Sequence, residues 1–408
     1  MASKSASKRH QLSSEQLALS EKRKAKKQKS AAPPRQPETP DAGRIVERNW
    51  IPIHEGEQGT QRIKVFTWNL LAQCLVRRDL FPTSNCLKAG QREHMLYREL
   101  LATEADVLCL QEVDRLEKLL PVLEQAGYAY HYAAGPAKKH GCLIAFKEEL
   151  YTMLSTKTVH YDDEAVRSDG DEKARRGKSF HTRNIGSLVS LQSKSAKNEG
   201  VIVATTHLFW HPKYTYERAR QAGILVRETR RLQFRPGRCC VFSFIHVSVD
   251  PTIPKILTGV PEEGNEEAVD PDRAITNARR ATPDDGLLSP ADLVEFFSRI
   301  PRVRSVYDVG LSKVADLSEL QTFGSRATLG PSRRGKYEPA YTSYTHYWKA
   351  VLDYIFVLDP VDRRSTVVSL LSPHRTADLE PGLPQKGVSG SDHVSLAAEL
   401  CWPKIGTL

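Results

Sequence analysis

The sequence contains no apolar run of membrane-spanning length, and its first residues lack the apolar stretch of a secretory signal. A soluble protein with no membrane partner is therefore expected. CxxC spacing is missing as well. The seven cysteines, Cys74, Cys86, Cys109, Cys142, Cys239, Cys240 and Cys401, are scattered and odd in number, which predicts reduced, mostly packing thiols in an intracellular compartment. No serine or cysteine sits in a nucleophile elbow, so a covalent nucleophilic enzyme has no support. The histidines have neither zinc-finger nor HExxH spacing, which argues against zinc.

What is present is a chain of 408 residues, 40% hydrophobic, long enough for one large domain or two small ones. Its formal charge of +10 is unevenly spread. Residues 1–48 hold 12 Lys and Arg against 5 Asp and Glu, a surplus of seven that leaves about three for everything else. Basicity alone is thus weak evidence for nucleic acid at the folded part. Residues 1–48, rich in Lys, Ser, Ala, Gln and Pro, cannot bury a core and read as a disordered basic tail. The run from Lys22 to Lys29 suits a nuclear signal or an RNA-attracting arm as well as it suits a plain solvated tail, so nucleus and cytoplasm both stay open.

Order is expected from about Arg62. Ile63 to Leu71 has strand character and ends near Asn69, which alone would read as a turn residue. Met95, Leu96, Leu100 and Leu101 mark a helix that leads into the apolar strand Val107–Leu110, where Gln111, Glu112 and Asp114 follow abruptly. Leu116, Leu119, Leu120 and Leu123 mark a second helix, closed by Gly127. Two short strands flank Lys138-Lys139-His140-Gly141, a tip suited either to a polyanion or to solvent. About 161–178 reads as a charged surface insertion, and 260–288 as an acidic one.

Val201–Leu208 is a buried strand with His207 at its end, followed by Phe209-Trp210-His211-Pro212. A basic helix is expected from Arg218 to Arg231 and another core strand from Arg238 to Ile245. Ser289-Pro290 opens a helix with Leu293, Val294 and Phe296 on one face, and Gly324–Lys336 reads as a loop. Tyr341 to Trp348 is dense in aromatics, and Asp353 then interrupts the start of an apolar strand, a costly place for a carboxylate without a partner. Asp392 and His393 stand at the mouth of a last strand.

Alternating strands and helices are the grammar of a layered α/β fold. Asn69, Glu112, His207, Asp353, Asp392 and His393 each fall at a strand terminus, where open α/β folds place their ligand crevice. Each alone has an ordinary structural reading. Together they supply what metal-assisted phosphate chemistry needs: oxygen ligands for Mg²⁺, imidazoles near phosphoryl oxygens, and a carboxylate to hold one imidazole.

The strings TWNLLAQ, LCLQEVD, GCLIAFK, THLFWHP, YTHYW with LDYIF, and GSDHVSL resemble the endonuclease/exonuclease/phosphatase superfamily. The likeness falls in the branch of Ccr-type deadenylases, nocturnin and the Ngl RNA exonucleases, and is closest to the Ngl group. It runs from Arg62 to Cys401. The resemblance implies a four-layer α/β sandwich of two packed mixed sheets, as in DNase I, in a domain over 62–404. It also implies Mg²⁺-dependent hydrolysis of phosphodiester bonds, with Mn²⁺ as an alternative ion and RNA as partner.

Carried across, Glu112 matches the principal metal ligand, Asn69 the residue supporting metal and phosphate, and Asp392 the acidic residue beside the metal. His207 matches the histidine that contacts the scissile phosphate, and Asp353 the aspartate that orients the last histidine, His393. Trp210, His211, Tyr347 and Trp348 match cleft-lining loop positions where bases could stack, or where the loops simply pack. Lys139 and His140 complete the expected substrate-binding set.

One segment departs from the pattern. Where the family carries Gly-Asp-Phe-Asn before the position of Asp250, this chain reads Phe244-Ile245-His246-Val247-Ser248-Val249. The family's Asp activates water and its Asn binds phosphate, so the departure predicts either impaired turnover or an error local to this stretch of sequence. The expected function is a 3′–5′ RNA exonuclease on poly(A) or a structural RNA precursor. Two other readings stay open: an inactive RNA-binding or scaffold protein of the same fold, and a phosphatase on a small phosphorylated molecule. No leucine-rich repeats precede the domain, so recruitment through such repeats is not expected.

Overall fold

The computed structural model describes residues 43–56, 60–232, 239–245 (backbone only), 257, 286–298, 302–330, 333–359 and 363–404. The basic run at Lys22–Lys29, the segment His246–Val249 and most of the expected 260–288 insertion lie outside the described residues.

Strands β1 (Trp50–Pro52), β2 (Thr60–Asn69) and β3 (Val107–Val113) are followed by β4 (Tyr128–Ala133), β5 (Gly141–Lys147) and β6 (Tyr151–His160). Next come β7 (Ile185–Ser193), β8 (Gly200–His207), β9 (Cys239–Ile245), β10 (Arg304–Ser305), β11 (Ser343–Tyr344) and β12 (Lys349–Ala350). β13 (Asp353–Leu358), β14 (Thr366–Leu371) and β15 (Leu396–Pro403) complete the set. One seven-stranded sheet runs β1-β14-β15-β2-β3-β5-β4, and a six-stranded sheet runs β10-β13-β9-β8-β7-β6. Both are mixed: β2 pairs with β3 and β8 with β9 in parallel, and every other neighbour is antiparallel.

Residue alternation explains the layering. Ile63 and Val65 of β2 and Val107 and Cys109 of β3 face inward against Val201 and Val203 of β8 and Ile355 and Val357 of β13. The intervening Phe66, Trp68, Leu108 and Leu110 pack outward with Leu100, Leu119 and Leu123 from helices Ala89–Ala102 and Leu116–Gln125. On the far side Ile202, Ala204, Phe356 and Leu358 meet Ala222, Leu225, Leu293 and Phe297 of helices Thr215–Leu232 and Pro290–Phe297. Strands buried on both faces read as continuous apolar runs, which is why their sequences stand out. The result is the expected four-layer α/β sandwich.

Five expectations change. The fold begins before Arg62: β1 pairs with β14, Ile45 is buried, and Arg48 donates to Glu99 Oε1 at 2.9 Å beneath the surface. Residues 43–48 thus belong to the fold, because Ile45 and Arg48 have buried partners. The 161–178 segment is not merely superficial, since Tyr161 and Val166 enter the core. The basic helix is largely buried, with the Arg218 and Arg220 guanidinium groups satisfied by carbonyls of Phe209, His211, Pro212, Arg176, Tyr161 and Glu164. In the Pro290–Phe297 helix, capped by Ser289 as expected, Phe297 rather than Phe296 is buried. The Gly324–Lys336 stretch opens inside a short helix, Phe323–Arg326.

Candidate active site

Polar strand ends from both sheets converge at one end of the sandwich. Glu112 sits in the left-handed region at φ +54°, and the β3–β5 register slips between Leu110 and Val113. A bulge of this kind re-aims a side chain, and a non-glycine residue with positive φ persists only when its surroundings hold it. The hold is visible: Asn69 Nδ2 donates to Glu112 Oε1 at 3.0 Å and the Ala72 N–H to Oε2 at 3.0 Å. Asn69 Oδ1 in turn accepts the Leu71 N–H at 2.9 Å. Both ends of the Asn69 amide are thus engaged, one on Glu112 and one on the loop after β2.

The other wall is built by the loop before β15. Ser391 Oγ donates to the Asn69 carbonyl at 2.6 Å and lies 3.4 Å from Asp392 Oδ1. Trp68 Nε1 donates to the His393 carbonyl at 2.8 Å. His393 Nδ1 is 2.8 Å from Asp353 Oδ2, and the Asp353 N–H donates to Thr342 Oγ1 at 2.9 Å. At the third wall His207 Nδ1 approaches Glu112 Oε1 to 3.6 Å, while Asn184 Nδ2 fixes the His207 carbonyl at 2.9 Å. Gln111 Nε2 donates to Thr205 Oγ1 at 2.7 Å, tying the two sheets together beside these residues.

Environment separates the two histidines. Burial lowers His393, but Asp353 and Asp392 outweigh it and push it up to about 9, so it is an imidazolium at neutral pH. Burial drives His207 down to about 3 against the pull of Glu112, so its approach to Glu112 is a polar contact of a neutral ring, not an ion pair. Burial also raises the Glu112 carboxyl, yet His207, the Asn69 hydrogen bond, His140 and the Ala72 N–H together hold it below the usual range. Asp392 is pushed up to about 6 by burial, with His393 opposing and Glu112 adding to the rise.

Among the described residues no three His, Cys, Asp or Glu side chains form a metal cage. Mg²⁺ does not require one, since it commonly binds through one or two carboxylates, retained waters and substrate phosphates. The donor set fits that pattern. Glu112 raises the cost of ionising buried Asp392, and a cation held by both carboxylates would relieve it.

Expected substrate residues divide. His140 lies beside His207, ring centroids 6.3 Å apart. Lys139 points to solvent, and it is the neighbouring Lys138 that shares the pocket of Glu112, His140 and His207. Trp210 and Tyr347 are each 62% exposed. Trp348 packs edge-on against Phe81 at 5.9 Å and donates from Nε1 to Ser343 Oγ at 3.1 Å, so it braces its loop rather than offering a face.

Two further residues were not anticipated. Arg92 is buried and donates from Nε to Gly390 O at 2.6 Å, from Nη1 to Gln73 Oε1 at 3.1 Å, and from Nη2 to the Leu70 and Leu71 carbonyls. It ties the loop after Asn69 to the loop before Asp392. Its signal was an arginine at helical spacing with Met95 and Glu99, on the buried face. Phe180, just past the expected 161–178 insertion, stacks on Phe209 with centroids 5.0 Å apart and planes at 14°. A lone phenylalanine in a charged stretch was the available clue.

The chain is similar to known proteins in sequence and in fold. The description "Endonuclease/Exonuclease/phosphatase family" matches residues 66–242. A probable RNA exonuclease of Schizosaccharomyces pombe is 27% identical over 86% of this chain and 78% of its own length. RNA exonuclease NGL2 of Saccharomyces cerevisiae is 33% identical over 52% of this chain, an alignment covering 43% of that relative. A crystal structure of ANGEL2, a 2′,3′-cyclic phosphatase, in complex with adenosine-2′,3′-vanadate superposes with a TM-score of 0.59 at 21% identity. It covers 88% of this chain and all of that one, and supports the fold.

Proposed function

We propose, for a chain that carries an endonuclease/exonuclease/phosphatase domain, that it is an Mg²⁺-dependent RNA exonuclease working from the 3′ end. The observation that carries the reading is the convergence of Glu112 from one sheet with His207 and the Asp353–His393 pair beside the other, with one imidazole neutral and the other charged. Environments that push two like groups apart in pKa assign them different tasks. Similarity to relatives described as RNA exonucleases supports RNA as the substrate.

Glu112 and Asp392 would hold Mg²⁺, whose chemistry is to polarise a phosphoryl oxygen and lower the pKa of bound water. His393, charged and oriented by Asp353, neutralises charge that develops on the phosphoryl oxygens. Neutral His207 offers a hydrogen bond to the same phosphate without repelling Lys138. Asn69 and the Ala72 N–H keep the Glu112 carboxylate in one orientation. The nucleobases lie toward Trp210 and Tyr347, whose exposed rings suit stacking.

A second reading, RNA binding without turnover, is favoured by the sequence of 244–249, which lacks the Gly-Asp-Phe-Asn of the family it resembles. One experiment separates them: degradation of a 5′-labelled RNA ending in oligo(A), with Mg²⁺ or EDTA, by the chain and by Glu112→Ala. A ladder that needs both Mg²⁺ and Glu112 supports the nuclease. RNA binding without a ladder, unaffected by Glu112→Ala, supports the binder.

A further inference from the structure

The segment 177–183 is anchored at nearly every residue except Phe180. Gly177 O accepts from Tyr216 Oη at 3.0 Å, and Ser179 donates from N and Oγ to Glu217 Oε2 at 2.9 and 3.1 Å. The Thr182 and Arg183 N–H groups donate to the Asp162 carboxylate at 3.1 and 2.6 Å. Gln221 joins this segment to the loop after His207, donating to Thr182 Oγ1 at 3.0 Å and accepting from the Phe209 N–H at 3.0 Å. Arg183 is locked in the left-handed region at φ +57°.

On this rigid base Phe180 is 42% exposed. One of its faces is covered by Phe209, and Tyr214 meets it at 4.9 Å and 58°. Phe209 is also near-parallel to His211, centroids 6.3 Å apart at 23°, and Trp210 leans on His211 at 5.2 Å. Phe209 stands two residues past His207, and Asn184, directly after the anchored segment, holds the His207 carbonyl. A phenylalanine whose backbone is pinned while its ring stays open gains nothing for the core by that exposure. An aromatic face held by its anchored neighbours and by Phe209, in the loop that follows His207, has the chemistry of a base-stacking platform.

We propose that Phe180, with Trp210 and His211, forms a stacking subsite for a nucleobase of single-stranded RNA flanking the scissile phosphate on the His207 side. The proposal rests on the RNA reading above and deepens it. Phe180 supplies a sequence-tolerant π-face, so it contributes affinity for any base and discriminates little among them.

The test is equilibrium binding in EDTA of a 5′-fluorescein-labelled oligo(A) RNA and of the same oligomer carrying abasic residues at its 3′ end, by the full chain, Phe180→Ala and Phe180→Tyr. Phe180→Ala is expected to weaken binding of the base-bearing RNA about 5- to 150-fold, to change abasic binding by less than twofold, and Phe180→Tyr to retain wild-type affinity. Equal weakening on both oligomers, or loss with Phe180→Tyr as well, would mean a structural role and overturn the subsite. Wild-type affinity in Phe180→Ala would overturn it too while leaving the RNA reading standing. A wild-type chain that binds neither oligomer would overturn the RNA reading itself.

Discussion

Arg92 is the residue whose replacement tests most of the site architecture at once. Its guanidinium reaches three main-chain carbonyls, of Leu70, Leu71 and Gly390, plus Gln73 Oε1, and the side chain is 2% exposed. Lysine keeps the charge but concentrates its donors at one point, so it cannot span both loops. Losing two of the four bonds at about 1.5–3 kcal/mol each, with partial recovery by the ammonium, gives a cost of about 3 kcal/mol in Arg92→Lys. The released loops carry Asn69 and Asp392, and a displacement of about 1 Å at reacting groups costs on the order of 10²-fold in rate. The assay is urea unfolding together with kcat on labelled RNA, measured well below the melting temperature. Arg115→Lys is the control, because its Glu93 partner at 3.0 Å is partly solvated and worth about 0–1 kcal/mol. An Arg92→Lys chain with wild-type stability and kcat within twofold of wild type would refute the tie.

Gly223 lies in the middle of helix Thr215–Leu232, where alanine normally stabilises, yet a Cβ there would sit 2.5 Å from the Phe297 ring. Gly223→Ala should therefore destabilise by about 1–3 kcal/mol, and a raised melting temperature would contradict the packing described. Asn69→Ala should lower kcat, while the Asn69→Ala/Glu112→Ala double variant should be no slower than Glu112→Ala alone. Additive losses would show that Asn69 acts independently of Glu112. His374, with both ring nitrogens buried and no partner among the described residues, is held well below 6.5 by burial and by Arg48. The unfolded chain binds a proton near pH 6.5 that the folded chain refuses. Stability is thus complete above about 6.5 and falls by about 1.4 kcal/mol per pH unit below it. Urea unfolding between pH 7 and 5 should show that slope reduced in His374→Leu, and an identical slope would exclude His374 as its source.

The strand ends were legible because burial on both faces makes β2, β3, β8 and β13 continuous apolar runs, so Asn69, Glu112, His207 and Asp353 interrupt them visibly. Three properties were not legible, for separate reasons. The left-handed backbone of Glu112 depends on hydrogen bonds from Asn69 and Ala72, some 40 residues away in the chain. Arg218 and Arg220 looked like the polar face of a basic helix, since composition cannot distinguish a solvated guanidinium from one satisfied by buried carbonyls. β1 is too short to show periodicity, and only its pairing with β14 brings it into the fold.

The departure at 244–249 gains a location from the sheet register. Ile245, the last residue of β9, lies opposite Asp353 on β13 and His207 on β8. The end of β9 therefore lies between the two residues proposed to orient the imidazole and to contact the phosphate. Between Ile245 and Asp250 the sequence holds no carboxylate, where the family it resembles carries a water-activating aspartate. Replacing His246→Gly, Val247→Asp, Ser248→Phe and Val249→Asn should raise kcat by about 10²–10⁴-fold, the range supplied by a positioned general base. The readout is single-turnover cleavage of labelled RNA at saturating enzyme, for the chain and the fourfold variant side by side. Equal rates would mean that turnover in this scaffold does not depend on a carboxylate at the end of β9, and would move the search for the base to Asp392 and its neighbours.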